Sequence, residues 1–115
     1  MRKLWSRIFK SKEMHEYNKM YKRHRKTMIR LAKDDRDWDY GYLHDLVVAK
    51  IKHMYEYYSA GNNVWQSEET HKKVLETLKS AIDLADKIDR CIDVEPKLYE
   101  KFYTYIGKNI CWWWD

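Results

Sequence analysis

Nine residues between positions 17 and 30 carry the strongest chemical signal in the sequence. They are Tyr17, Lys19, Tyr21, Lys22, Arg23, His24, Arg25, Lys26 and Arg30. Rings interleaved with cations can stack on bases and neutralise phosphates together, which is how single strands and nucleotides are held. The expected contacts are Arg23, Lys26 and Arg30 to phosphate, with Tyr17, Tyr21, Trp38 or Tyr40 stacking. A second account of the tyrosines is packing. Met14, Tyr17, Tyr21, His24, Met28 and Leu31 recur at alternating steps of three and four, which makes a heptad seam. A seam of Met and Tyr is adaptable and makes a weak zipper.

Other clusters carry less chemistry. Asp35-x-Asp37-x-Asp39 resembles the start of a calcium loop, but Tyr40 stands where the glycine belongs and Leu46 where the closing glutamate does. A turn and capping cluster is the better reading. His44-Asp45 is the dipeptide of the HD phosphohydrolases, with His24 upstream and Asp83 or Asp89 downstream. Such sites hold metals through His and Asp on several helices. The chain is short for that family, and the dipeptide is common by chance. His44, His53 and His71 lack the four-residue spacing of a helical zinc pair. Asp83, Asp86 and Asp89 repeat every three residues, as on the acidic faces of MazG-type pyrophosphatases. No ExxE stands beside them on the same helical stretch, so a solvated face paired with the basic N-terminal helix is preferred. There is no glycine-rich phosphate loop, nucleophile elbow or Cys–His signature. An enzyme is not expected, and neither a cofactor nor a metal site is assigned.

Charge divides the chain. Residues 1–33 carry twelve Lys or Arg against two acids, a net of +10. Residues 34–115 carry eleven against sixteen, a net of −5. The asymmetry suggests an anionic partner for the basic part, or charge pairing within or between subunits. A solvated basic helix face is the plain alternative.

The elements that must position these residues are helical. At 115 residues the chain is expected to be a single domain with a modest core. One proline and three glycines leave little room for long loops, and alternating β-branched runs are almost absent. The expected fold class is all-α, a compact helical bundle of about four main helices. Residues 1–12 offer a further short amphipathic helix or arm, with Leu4, Trp5, Ile8 and Phe9 among five cations. Docking on the core suits this arm better than a membrane surface, and no run is apolar enough to span one.

A basic helix from about Ser11 should end at the Asp34–Asp39 corner, where Asp37 or Asp39 caps the next. The core is expected over residues 39–115. Leu43, Val47, Ile51, Met54 and Tyr58 form one face, and Ala60-Gly61-Asn62-Asn63 ends that helix. Ser67-Glu68-Glu69-Thr70 starts the next. Val74, Leu75, Leu78, Ala81, Ile82, Ala85, Ile88 and Ile92 give the most regular stripe, expected at the centre of the core. Pro96 suits the first turn of a last helix bearing Tyr99, Phe102, Tyr103, Ile106, Ile110 and Trp113. Of Trp112, Trp113 and Trp114, at least one should be buried. Cys91 and Cys111 fit a reducing compartment, and no apolar core of signal-peptide length appears near residue 1.

Arg36-x-Trp38-Asp39-Tyr40-x-Tyr42-Leu43, Lys50-x-Lys52-x-Met54 and Ile110-x-Trp112-Trp113-Trp114-Asp115 together resemble a set of small tailed-phage and prophage proteins. The likeness covers roughly residues 36–115. It implies a context, the host cytoplasm, and no site residue. Small phage proteins of this kind often bind something of the host, as immune-signal nucleotide sponges and inhibitors of defence proteins do.

The expected function is non-enzymatic binding of an anionic host ligand, a nucleotide signal or nucleic acid, in a counter-defence role. The second expectation is inhibition of a host defence protein by direct contact. The third is a metal-dependent helical nucleotide phosphohydrolase. The Met and Tyr seam and the tryptophan cluster lead us to expect a homo-oligomer.

Overall fold

The computed structural model describes residues 2–34, 40–60, 67–89 and 95–113, with side chains from residue 15 onward. The protein is all-α. Four helices follow one another: α1 (Arg2–Lys33), α2 (Tyr40–Ser59), α3 (Glu68–Asp89) and α4 (Pro96–Asn109). A single 3-10 turn, Ile110–Trp112, follows α4. There is no strand among the described residues. None of these helices is long and apolar enough to cross a membrane. The chain forms two compact units, Met1–Ala49 and Lys50–Asp115, and α2 runs through the boundary.

The sequence suggested a short arm over residues 1–12 followed by a separate helix. Instead α1 is continuous for 32 residues, about 48 Å at 1.5 Å per residue. The reason is local. No proline or glycine lies between positions 2 and 33, and Ser11 alone does not stop a helix. The helix closes where Asp34 N–H donates to the carbonyls of Arg30 and Leu31. Arg30 and Lys33 stand in its last turn, where cations suit the negative helix end. The proposed caps Asp37 and Asp39 lie outside the described residues, as do Gly61, Asn62 and Asn63.

On α2 the buried line is His44, Ile51 and Tyr58, seven residues apart. Val47 and Met54 are half-buried beside it, and Leu43 is 64% exposed. The face therefore centres about 40° around the helix from where the five expected residues had placed it. Leu43 and His44 are neighbours 100° apart on a helix, and only one can point inward.

The unit over Lys50–Asp115 holds the regular core. Ser67 Oγ accepts from Thr70 N–H at 3.2 Å and caps α3, with Glu68 and Glu69 at its positive end. Val74, Leu78, Ala81, Ala85 and Ile88 then step by four and three along one side, and all are buried. α4 starts at Pro96, whose fixed φ suits the first helical position. It packs on α3 and buries Phe102 completely. Each large side chain so buried contributes about 1.5–3 kcal/mol.

After α4 the 3-10 turn brings Trp113 back against α3. Trp113 is 7% exposed, and its indole N–H donates to Thr77 Oγ1 at 2.8 Å. The Thr77 hydroxyl in turn donates to the Lys73 carbonyl at 2.8 Å. Replacing Thr77 by valine keeps the shape and strands the indole N–H. The expected loss is about 1–2 kcal/mol, read as a lower urea midpoint. An unchanged midpoint would mean that this hydrogen bond holds nothing in place.

Candidate functional site

α1 presents its cations in one stripe. Lys19, Arg23, Lys26, Arg30 and Lys33 follow at steps of four, three, four and three, and all are exposed. The side turned from this stripe is the packed one. Met20 is buried, and His24, Thr27, Met28 and Leu31 are half-buried. Of the expected seam, His24, Met28 and Leu31 face inward, whereas Tyr17 and Tyr21 do not. Tyr17 and Tyr21 lie on the flank of this packed side, 45% and 44% exposed. Their rings are parallel within 7°, with centroids 6.1 Å apart. The Arg25 guanidinium sits 5.6 Å from the Tyr21 centroid, within cation–π range.

The sequence-predicted contacts therefore fall into two groups. At 100° per residue, Arg23, Lys26 and Arg30 lie within about 60° of one another. Tyr17 and Tyr21 are turned from them by about 120° to 180°. The cation beside this pair is Arg25, over the Tyr21 ring, with Lys22 next around the helix. One short ligand cannot touch both groups on this convex surface, whereas a flexible polyanion curling around the helix can. Tyr40, the first residue of α2, is 72% exposed. Trp38 lies outside the described residues.

The alternative sites assemble less. Among the described residues no group of three or more His, Cys, Asp or Glu gathers to hold a metal. His44, the candidate phosphohydrolase histidine, is 5% exposed, on the buried line of α2. On α3, Asp83 pairs with Lys79 at 3.4 Å and Glu76 with Lys72 at 3.9 Å. Asp86 reaches Lys52 of α2 at 3.9 Å. These exposed pairs are worth at most about 1 kcal/mol each. They make the acidic side of α3 a solvated, ion-paired face. The Asp35, Asp37 and Asp39 cluster lies outside the described residues.

One feature escaped the sequence reading. An open groove of about 370 Å³ runs along α4, lined by Lys97, Lys101, Thr104, Tyr105 and Lys108, with Leu84 of α3 and Glu100 also at its wall. The signal for it was a basic run at steps of four and seven on one helix side. Near the chain end the Lys73 ammonium lies 4.2 Å from the centre of the Trp112 ring. No family model, no curated protein and no solved structure matches the chain.

Proposed function

We propose that this protein is a non-enzymatic binder of single-stranded nucleic acid, and that α1 is its binding element. The observation that carries the proposal is the stacked pair Tyr17 and Tyr21. Two large rings stand almost half exposed, one of them, Tyr21, beside Arg25, on a helix whose other side is a stripe of five cations. A tyrosine serving packing alone gains little from such exposure. Stacking on an unpaired base contributes about 1–3 kcal/mol per base and tolerates any sequence. The length of α1, and the turn between tyrosines and cation stripe, favour a polymer over a small nucleotide. The phage-type resemblance adds a host ligand and a counter-defence role as the setting.

The test is fluorescence anisotropy with a labelled oligothymidylate and a duplex of equal length. The single strand should bind tighter, because only unpaired bases offer their faces. Tyr17→Ala with Tyr21→Ala should weaken single-strand binding by about tenfold or more and leave duplex binding unchanged. Equal binding of duplex and single strand, indifferent to the tyrosines, would refute the stacking mode. No binding of either would move inhibition of a protein target to first place. That second reading has its own observation: Tyr40 and Leu43, in the first turn of α2, are 72% and 64% exposed.

A further inference from the structure

We propose that the groove along α4 is a second anion site, which binds a small phosphorylated ring compound of the nucleotide class. The site lies wholly within the unit Lys50–Asp115. It shares no residue with the face of α1, so it stands or falls separately from the nucleic-acid proposal.

The cations come first. Lys97, Lys101 and Lys108 lie at steps of four and seven, so they fall within about 40° of one another on α4. All three are exposed. Among the described residues none of them forms an ion pair, whereas Lys52, Lys72 and Lys79 each hold a carboxylate. Three lysines against one glutamate, Glu100, give the lining a formal charge of +2. That excess calls for a ligand with more than one negative charge. Lysine is a compact point charge on a flexible stem, suited to phosphate rather than to the planar fork contacts that arginine makes. A lone carboxylate would leave half of that charge uncompensated.

The walls decide the rest of the ligand. Leu84 and Tyr105 are half-buried and supply an apolar and an aromatic surface. The Asn109 side chain donates to the Tyr105 carbonyl at 2.9 Å, within the last turn of α4. A planar ring can lie against these walls while its phosphates reach the ammonium groups. Thr104 adds a hydroxyl, and Glu100 adds an acceptor for a sugar hydroxyl or ring amine. The volume of about 370 Å³ lies near the lower end of the range for small-molecule sites, about 300–1,000 Å³. A free mononucleotide fits these demands, whereas a polymer suits the convex α1.

ADP is the probe, with pyrophosphate and adenosine as its two halves. Each is titrated into the full chain while backbone amides are followed by two-dimensional NMR. ADP should shift the amides of residues 97–108 saturably, pyrophosphate should shift the same amides more weakly, and adenosine should shift none. Lys101→Glu with Lys108→Glu changes only exposed side chains and should leave the fold intact. It should weaken ADP by about tenfold or more, the weight of one charge-assisted hydrogen bond. Arg23→Glu with Lys26→Glu should leave ADP binding unchanged. Tyr105→Leu, which keeps an apolar wall without the ring, should weaken ADP and spare pyrophosphate. ADP shifts confined to other segments, or wild-type affinity in the lysine variant, would overturn the proposal. Equal losses of ADP and pyrophosphate in the Tyr105 variant would overturn the ring assignment.

Discussion

Truncating Phe102 to alanine should cost the unit Lys50–Asp115 about 3–5 kcal/mol. Phe102 is fully buried and is the sole buried residue of α4 among those described. α4 packs on α3, whose Val74 and Leu78 are also fully buried. Removing the ring takes out both its transfer free energy and its contacts, and two rigid helices cannot close the gap. Small domains are stable by only about 5–15 kcal/mol, so the loss is a large share of the whole. Urea unfolding followed by circular dichroism reads it directly. The neighbouring Tyr103 is the control. Its ring meets Phe102 edge-on at 5.0 Å, yet it is 38% exposed. Tyr103→Ala should cost only about 1 kcal/mol. Similar losses at both positions would mean that Phe102 is not the anchor of α4.

The contrast between those neighbours shows what a sequence can disclose. Periodicity located α3 well, because Val74, Leu78, Ala81, Ala85 and Ile88 keep one heptad line and all five are buried. A strong stripe with one possible inward side leaves no choice. On α4 the apolar residues cover a wider arc, and packing selects part of it. Phe102 goes in, while Tyr103 stays 38% exposed, as does Ile110 of the following 3-10 turn at 55%. On α2 the choice fell between adjacent residues, and the imidazole of His44 went inward in place of Leu43. Hydropathy alone ranks leucine first there. The cap at Ser67 and the proline start at Pro96 were legible because both depend only on local backbone chemistry.

The candidate site was legible as composition and not as arrangement. Residues interleaved along a chain look adjacent, yet each helical step turns the side chain by about 100°. Tyr21 and Arg23 therefore belong to different faces, and Arg25, two residues further on, is the one over the ring. The α4 groove was missed for a different reason. Each of Lys97, Lys101 and Lys108 alone reads as an ordinary solvated lysine. Only Leu84, thirteen residues before Lys97 and on another helix, turns their row into a wall of an open groove.

Reversing Arg23, Lys26 and Arg30 to glutamate should lower affinity for an oligothymidylate by on the order of a hundredfold at low salt. The three lie on one exposed stripe of α1, so a strand that neutralises one can neutralise all. Each neutralised phosphate releases condensed counterions and adds about 0.7 to the slope of log affinity against log salt for a single strand. Losing three contacts should therefore flatten that slope by roughly 2. The slope matters more than the affinity, because it counts contacts independently of any loss of helix stability. A control must carry the same change in net charge. Lys72, Lys79 and Lys87 on α3 are also exposed, and reversing them gives the same total charge. If α1 is the binding element, the α3 variant should keep nearly the wild-type slope. If both variants flatten the slope equally, the strand responds to net charge and α1 holds no site. If the α1 variant keeps the wild-type slope, its cation stripe makes no phosphate contact, and the nucleic-acid reading of this helix is wrong.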